Sequence, residues 1–137
     1  MYSAYQTMSH RVVTFLALAF VATLAVDASR AHHNRSDIDM TKRIMLTGTL
    51  TMVDWRNPHI ELIVETKDGA QVQTWSLEGP SPGFFRERDI NRADVEAALH
   101  KTVTAEASRA RDGSRAGLLR TMTLPGGRVL SACPQNC

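Results

Sequence analysis

Residues 44–52, IMLTGTLTM, place the tightest constraint on the fold. Ile44, Leu46, Leu50 and Met52 alternate with Thr47, Thr49 and Thr51. A period of two sends one set to a buried face and the other to solvent, so the segment is a half-buried β-strand. Gly48 falls on the inward side, where a strand that closes a small barrel must bend or bulge. Asn57-Pro58 ends the run, because proline cannot continue a hydrogen-bonded ladder.

The same period recurs downstream. A second strand is expected over 59–66, with Ile60, Leu62 and Val64 inward and Glu61 and Glu65 outward. Lys67-Asp68-Gly69 reads as a hairpin turn into a third strand, QVQTWSLE at 71–78. Ser81-Pro82 has the cap-then-proline signature of a helix start. That short helix, about 82–89, would anchor through Phe84 and Phe85, and 91–99 adds another turn or two, with Val95 and Leu99 on one face. A fourth strand is expected over 101–108 and a fifth over about 117–124, before Pro125-Gly126-Gly127 turns into Arg128-Val129-Leu130. Three strands, a helix and two more strands make an all-β fold, a small five-stranded OB-like barrel with one short helix between strands 3 and 4. A small open β-sandwich is the alternative.

This domain does not begin at Met1. His10 and Arg11 flank an apolar stretch from Val12 to Val26, and Ser29-Arg30-Ala31 then places small residues at the third and first positions before a cut. That is the build of a helical signal peptide. The stretch falls short of the roughly 20 residues a spanning helix needs. An uncleaved membrane anchor is the alternative, and Met8 is a second candidate start. The expected organisation is a signal peptide over 1–31, a flexible polar lead-in over 32–43, the barrel over 44–131 and a tail over 132–137. The mature protein is then periplasmic or secreted and free of the membrane.

Cleavage after Ala31 removes Arg11, Arg30 and Asp27, so 16 basic and 14 acidic side chains become 14 and 13, near neutral. Binding to nucleic acid is not expected, because phosphate-backbone affinity comes from clustered Lys and Arg. Arg86, Arg88, Arg92, Arg109, Arg111 and Arg115 are interleaved with acids and read as a solvated face. No serine stands near a histidine at a suggestive spacing, no G-x-S-x-G occurs, and no pair of carboxylates is singled out, so a non-enzymatic protein is expected.

Cleavage would make His32 the first residue and free its α-amine. An N-terminal histidine can hold a metal through the amine and one ring nitrogen. A second imidazole completes a three-nitrogen set suited to Cu(II), the divalent ion at the top of the affinity order. His59 in the Asn57-Pro58-His59 turn is the expected second imidazole, with His33 as its competitor. A solvated tail and a turn histidine bonded to nearby backbone are the plainer account of the same residues. Trp55 and Trp75 could form a stacking platform for a small ligand, with Asn57 and Glu78 beside them, although large aromatics in a small β domain more often pack the core or rim. Cys133 and Cys137, both in the last five residues, are expected to form a local disulfide in an oxidising compartment. A C-x3-C pair can also bind copper or exchange thiols.

The mature start AHH (31–33), GTLTMVDWRNPH (48–59), WSLEGPSP (75–82), and Asp112-Gly113 leading to GGRVL (126–130) resemble a bacterial family of small exported proteins, domain of unknown function 6152. The likeness covers about residues 31–131. It implies an exported protein with a small β-barrel and brings no established activity. Within it the recurring elements are the histidine pair and the N-P-H turn, which favours copper. Asn34, the segment ADVEAALHKT and the cysteine pair depart from the pattern. The expected function is a non-enzymatic, exported binding module for copper; the alternative is a metal-free adaptor for a periplasmic protein, glycan or other small ligand.

Overall fold

The computed structural model describes residues 35–133. The expected signal peptide and the His32-His33 pair lie outside the described residues, as does Cys137. Among the described residues no helix is long and apolar enough to cross a membrane.

A 3-10 turn, Arg35–Asp37, leads into β1 (Ile38–Asp54), followed by β2 (Glu61–Asp68) and β3 (Gln71–Glu78). Two single-turn helices come next, α1 (Pro82–Arg86) and α2 (Arg92–Glu96). The chain continues through β4 (Thr102–Ala110), β5 (Ala116–Thr123) and β6 (Val129–Ser131). The fold is mainly β, with the strand order β3-β2-β1-β4-β5-β6 in one sheet. Neighbours in that order run antiparallel, and β5 also pairs with β3 in parallel. The outer edge of β5 is thus shared: Ala116–Leu118 meet β3, and Thr121–Thr123 meet β6.

The sequence expectation differs from this in strand number, in the start of β1 and in the ends of the helices. The sheet has six strands rather than five, because Val129–Ser131 pair with β5 after the Gly126-Gly127 turn. β1 starts at Ile38, inside the expected lead-in: Ile38 and Asp39 pair with Ala110 and Arg109, and three residues then loop out before Arg43 rejoins Ser108. Pairing with β4 and the burial of Ile38 alone extend the strand there, with exposed residues at 40–43, so a search for apolar alternation misses it. The helices stop early. α1 ends at Arg86, and three residues on Asp89 takes φ 56°, which lets Ile90 N–H reach Phe85 O at 3.0 Å and buries Ile90. After α2, His100 takes φ 61° and donates to Leu50 O at 2.8 Å, which fastens the segment to β1.

The inward positions make the core. Leu46 and Leu50, Leu62 and Val64, Trp75 and Leu77, and Val103, Ala105 and Ala107 alternate along four strands and are buried together. Phe85 from α1 and Val95 from α2 join them, both fully buried. Ser81 caps α1 by accepting from Phe84 N–H, and Asn91 and Asp94 form a reciprocal capping box on α2. A smaller cluster, Ile38, Ala110 and Ala116 with Leu118 against it, holds the start of β1.

Two glycines permit the close approaches. A Cβ on Gly48 would stand 2.1 Å from Glu65 O, so β1 crosses β2 there without a side chain. The register slips just beyond, between Leu50 and Met52, as a bulged, bending strand does. The β2–β3 loop is Gly69-Ala70, one residue later than the expected Asp-Gly turn, with Gly69 at φ 59°. Glycine first in a two-residue loop is the primed-turn preference.

Candidate functional site

His59 owes its direction to the residue after it. Ile60 is fully buried, and its backbone is pinned to the end of β3: Ile60 N–H donates to Pro80 O at 3.2 Å, and Gly79 N–H donates to Ile60 O at 2.9 Å. A Cβ on Gly79 would meet Ile60 Cγ1 at 2.9 Å, so the approach depends on glycine. With Ile60 inward, His59 faces out, its side chain 49% exposed. Its Nδ1 lies 2.9 Å from Glu78 Oε1. Nδ1–H donating to the carboxylate leaves Nε2 with a free lone pair.

Glu78 belongs to a row of carboxylates that crosses three strands. Asp54 pairs with Glu61 between β1 and β2, and Glu61 pairs with Glu78 between β2 and β3. Each carboxylate has a local partner. Ser76 Oγ donates to Glu61 Oε1 at 2.7 Å. Arg56 holds Asp54 through Nε at 2.6 Å and through Nη2. The hydrogen bond to Asp54, and then its charge, raise the Arg56 pKa above its usual value. Like charges directly opposite on adjacent strands repel; Arg56, Ser76 and His59 are what relieve that row. Among the described residues, no group of three or more His, Cys, Asp and Glu side chains is placed to hold a metal ion.

The residues singled out in the sequence are only partly brought together. His59 and Glu78 are in contact; Asn57 and Pro58 precede them in an exposed turn with a cis peptide bond. Trp55 packs on Phe85, ring centroids 5.3 Å apart, and is half-buried. Trp75 is buried, 7% exposed, and stands opposite Val64, three residues before Glu78 on β3. The two indoles therefore do not share a surface: one lies against α1 and the other points into the core. Cys133 carries no free thiol, and its expected partner Cys137 lies outside the described residues.

Two arginines of note are not legible as such in the sequence. Arg109, expected on the solvated face, continues the inward series Val103, Ala105, Ala107 and has its Nε buried. Arg86, Arg88, Arg92, Arg111 and Arg115 are exposed as expected. Arg120 is the extra residue of a bulge, since Glu106 pairs with Thr121 and Ala107 with Leu119. It is 3% exposed, with Nη1 donating to Ser108 Oγ at 3.0 Å and Nε 3.6 Å from Glu106 Oε1. For Arg109 the signal is its parity with Ala107, and for Arg120, set by the bulge, there is none.

No curated protein and no solved structure matches the chain. Residues 18–121, which span most of the sequence and all of β1 to β4, match a family model, and the chain belongs to that family, the family of unknown function DUF6152.

Proposed function

We propose that the mature chain is an exported, non-enzymatic binding module on a closed OB-like barrel, and that it holds Cu(II) through His59 and the mature N-terminal histidine. The pairing of β3 with both β2 and β5 supports closure, since it joins the third strand of the sheet to the fifth, as in OB barrels. The observation that carries the metal reading is the His59–Glu78 contact. A ligating histidine usually gives its second ring N–H to a carboxylate or carbonyl, which fixes the tautomer and raises the basicity of the other nitrogen. His59 Nε2 is set up in that way on an exposed turn.

His59 needs further ligands, and the described residues do not complete a set. The amine and ring of His32 would supply two nitrogens, with His33 as the alternate to His59. A row of carboxylates beside His59 favours a cation over an anion at this edge.

Mass spectrometry of the exported protein is expected to give His32 as the N-terminus. Cu(II) titration of that protein should then show tight 1:1 binding that His59→Ala weakens severely. Glu78→Gln should cost about 10–100-fold, the usual loss when an outer-shell partner is removed. A different N-terminus, or an affinity that His59→Ala leaves unchanged, refutes the copper reading. The barrel would then stand as a metal-free binding module.

A further inference from the structure

Two buried donors on neighbouring side chains have no acceptor: Trp75 Nε1 and Arg109 Nε. Both side chains are inward-facing, Trp75 within the core cluster and Arg109 by its parity with Val103, Ala105 and Ala107. The Arg109 guanidinium carbon stands 5.6 Å from the Trp75 ring centroid. Arg109 Nη2 donates to Gly113 O at 3.0 Å, which fixes the guanidinium in the β4–β5 hairpin. Asp39, across the ladder from Arg109, accepts instead from Thr41 N–H and Thr41 Oγ. Among the described residues Arg109 has no ion-pair partner, although it lies within reach of solvent.

A buried donor without an acceptor costs on the order of 1–3 kcal/mol, more when it is charged, and native proteins keep such groups few. Two of them side by side, one cationic, describe the complement of an anion with two acceptor atoms. A carboxylate has that form: each oxygen can accept from a separate donor at about 2.8 Å.

We infer that the juxtaposition of Trp75 Nε1 and the Arg109 guanidinium is a binding site for a small organic carboxylate. The site is independent of the copper reading. Trp75 and Glu78 are three residues apart on β3, about 10 Å along the strand, and their side chains lie on opposite faces of the sheet.

The test uses Trp75 as its own reporter. The mature protein carrying Trp55→Phe is titrated with acetate, butyrate and benzoate, and with butyramide as the uncharged counterpart, while indole emission is followed. At least one carboxylate is expected to give a saturable change, with butyramide about tenfold weaker or inactive. Arg109→Gln should weaken that response at least about tenfold, a loss of one charge-assisted contact, in a protein whose melting curve shows it folded at the titration temperature. The site should also report in stability: the active carboxylate raises the melting temperature of the wild type and not that of Arg109→Gln. Absence of a saturable response to all three acids overturns the proposal, since water then satisfies the donors. A response that Arg109→Gln leaves intact, or that butyramide matches, overturns it as well. Neither result bears on Cu(II) binding at His59.

Discussion

Gly48→Ala gives the severest test of how β1 is built. The added Cβ would lie 2.1 Å from Glu65 O and 2.8 Å from Glu65 C, both backbone atoms that no rotamer can move. Restoring an ordinary 3.4 Å contact to the oxygen means parting β1 and β2 by about 1.3 Å at this point. A ladder hydrogen bond of about 2.9 Å stretched that far is broken. The pairs immediately beyond, Thr49 with Glu65 and Leu50 with Val64, are the ones at risk. Loss of two such bonds at about 1 kcal/mol each, with about 1–3 kcal/mol of overpacking, gives ~3–5 kcal/mol. The lower chain entropy of alanine offsets at most about 1 kcal/mol. The net loss of ~2–4 kcal/mol should lower the melting temperature by at least about 10 °C in a domain of this size. Thermal and urea unfolding followed by far-UV circular dichroism read it directly. Gly69→Ala and Gly83→Ala calibrate the result. The first meets nothing within 4 Å but carries φ +59°, a strain of about 1–2 kcal/mol. The second meets nothing closer than 3.7 Å and sits in α1, where alanine is neutral or stabilising by up to about 1 kcal/mol. If Gly48→Ala is no more destabilising than Gly69→Ala, the crossing of β1 over β2 is not held as described.

Three other perturbations follow from the same packing. Phe85→Ala removes a fully buried ring that touches Trp55 and Phe84, and urea denaturation should show a loss of about 3–5 kcal/mol; the Trp55 emission should shift to the red with it. Asn91→Ala removes the side-chain half of the α2 capping box, the acceptor for Asp94 N–H, and keeps the backbone N–H to Asp94, so chemical unfolding should register a loss of about 1 kcal/mol, with Asp94 still held by Arg128 at 2.8 Å. Asp39 has its pKa lowered, first by the Thr41 hydroxyl and then by the Thr41 N–H. A depressed carboxyl stabilises the fold above its unfolded pKa, near 3.9, and that contribution is lost as pH falls through the lower folded value. Asp39→Asn should therefore lower stability modestly at neutral pH, converge with wild type at low pH, and so flatten the acid limb of a stability-versus-pH curve; an acid limb identical to wild type would contradict the Thr41 contacts.

What the sequence makes legible is the set of inward residues. Leu46, Leu50, Leu62, Val64, Leu77, Val103 and Ala105 are buried at the parity their alternation demands. Position Gly48 is likewise readable, because an inward glycine in a strand has few other reasons to exist. What alternation does not carry is any feature set by partner choice. Residues 38–43 are polar and irregular, and they are strand because β4 is long enough to hold their backbone. Arg120 is buried because a bulge moves it out of step as β5 passes from β3 to β6, and Arg120 stands between the two contact stretches. The His59–Glu78 contact is of the same kind. Each residue stands out in the sequence, but 19 positions separate them, and only the register of β2 on β3 brings them to 2.9 Å.

This division also says where chemistry can be placed in such a small sheet. The inward positions are committed to the core, so a polar group there is tolerated only with a partner, and Trp75 Nε1 and Arg109 Nε lack one among the described residues. The outward positions are free to vary, yet three of them, Asp54, Glu61 and Glu78, place like charges across consecutive strands at some cost in stability. Stability alone would favour alternating signs there, as Arg43 and Glu106 have elsewhere on the sheet. A histidine held on the last of those carboxylates and leaning on a glycine-dependent turn fits the same logic. Ile60 and Gly79 fix the backbone on which His59 stands, and the histidine gains there its contact with Glu78. Local expense of this kind marks the places in the sheet that packing alone does not account for.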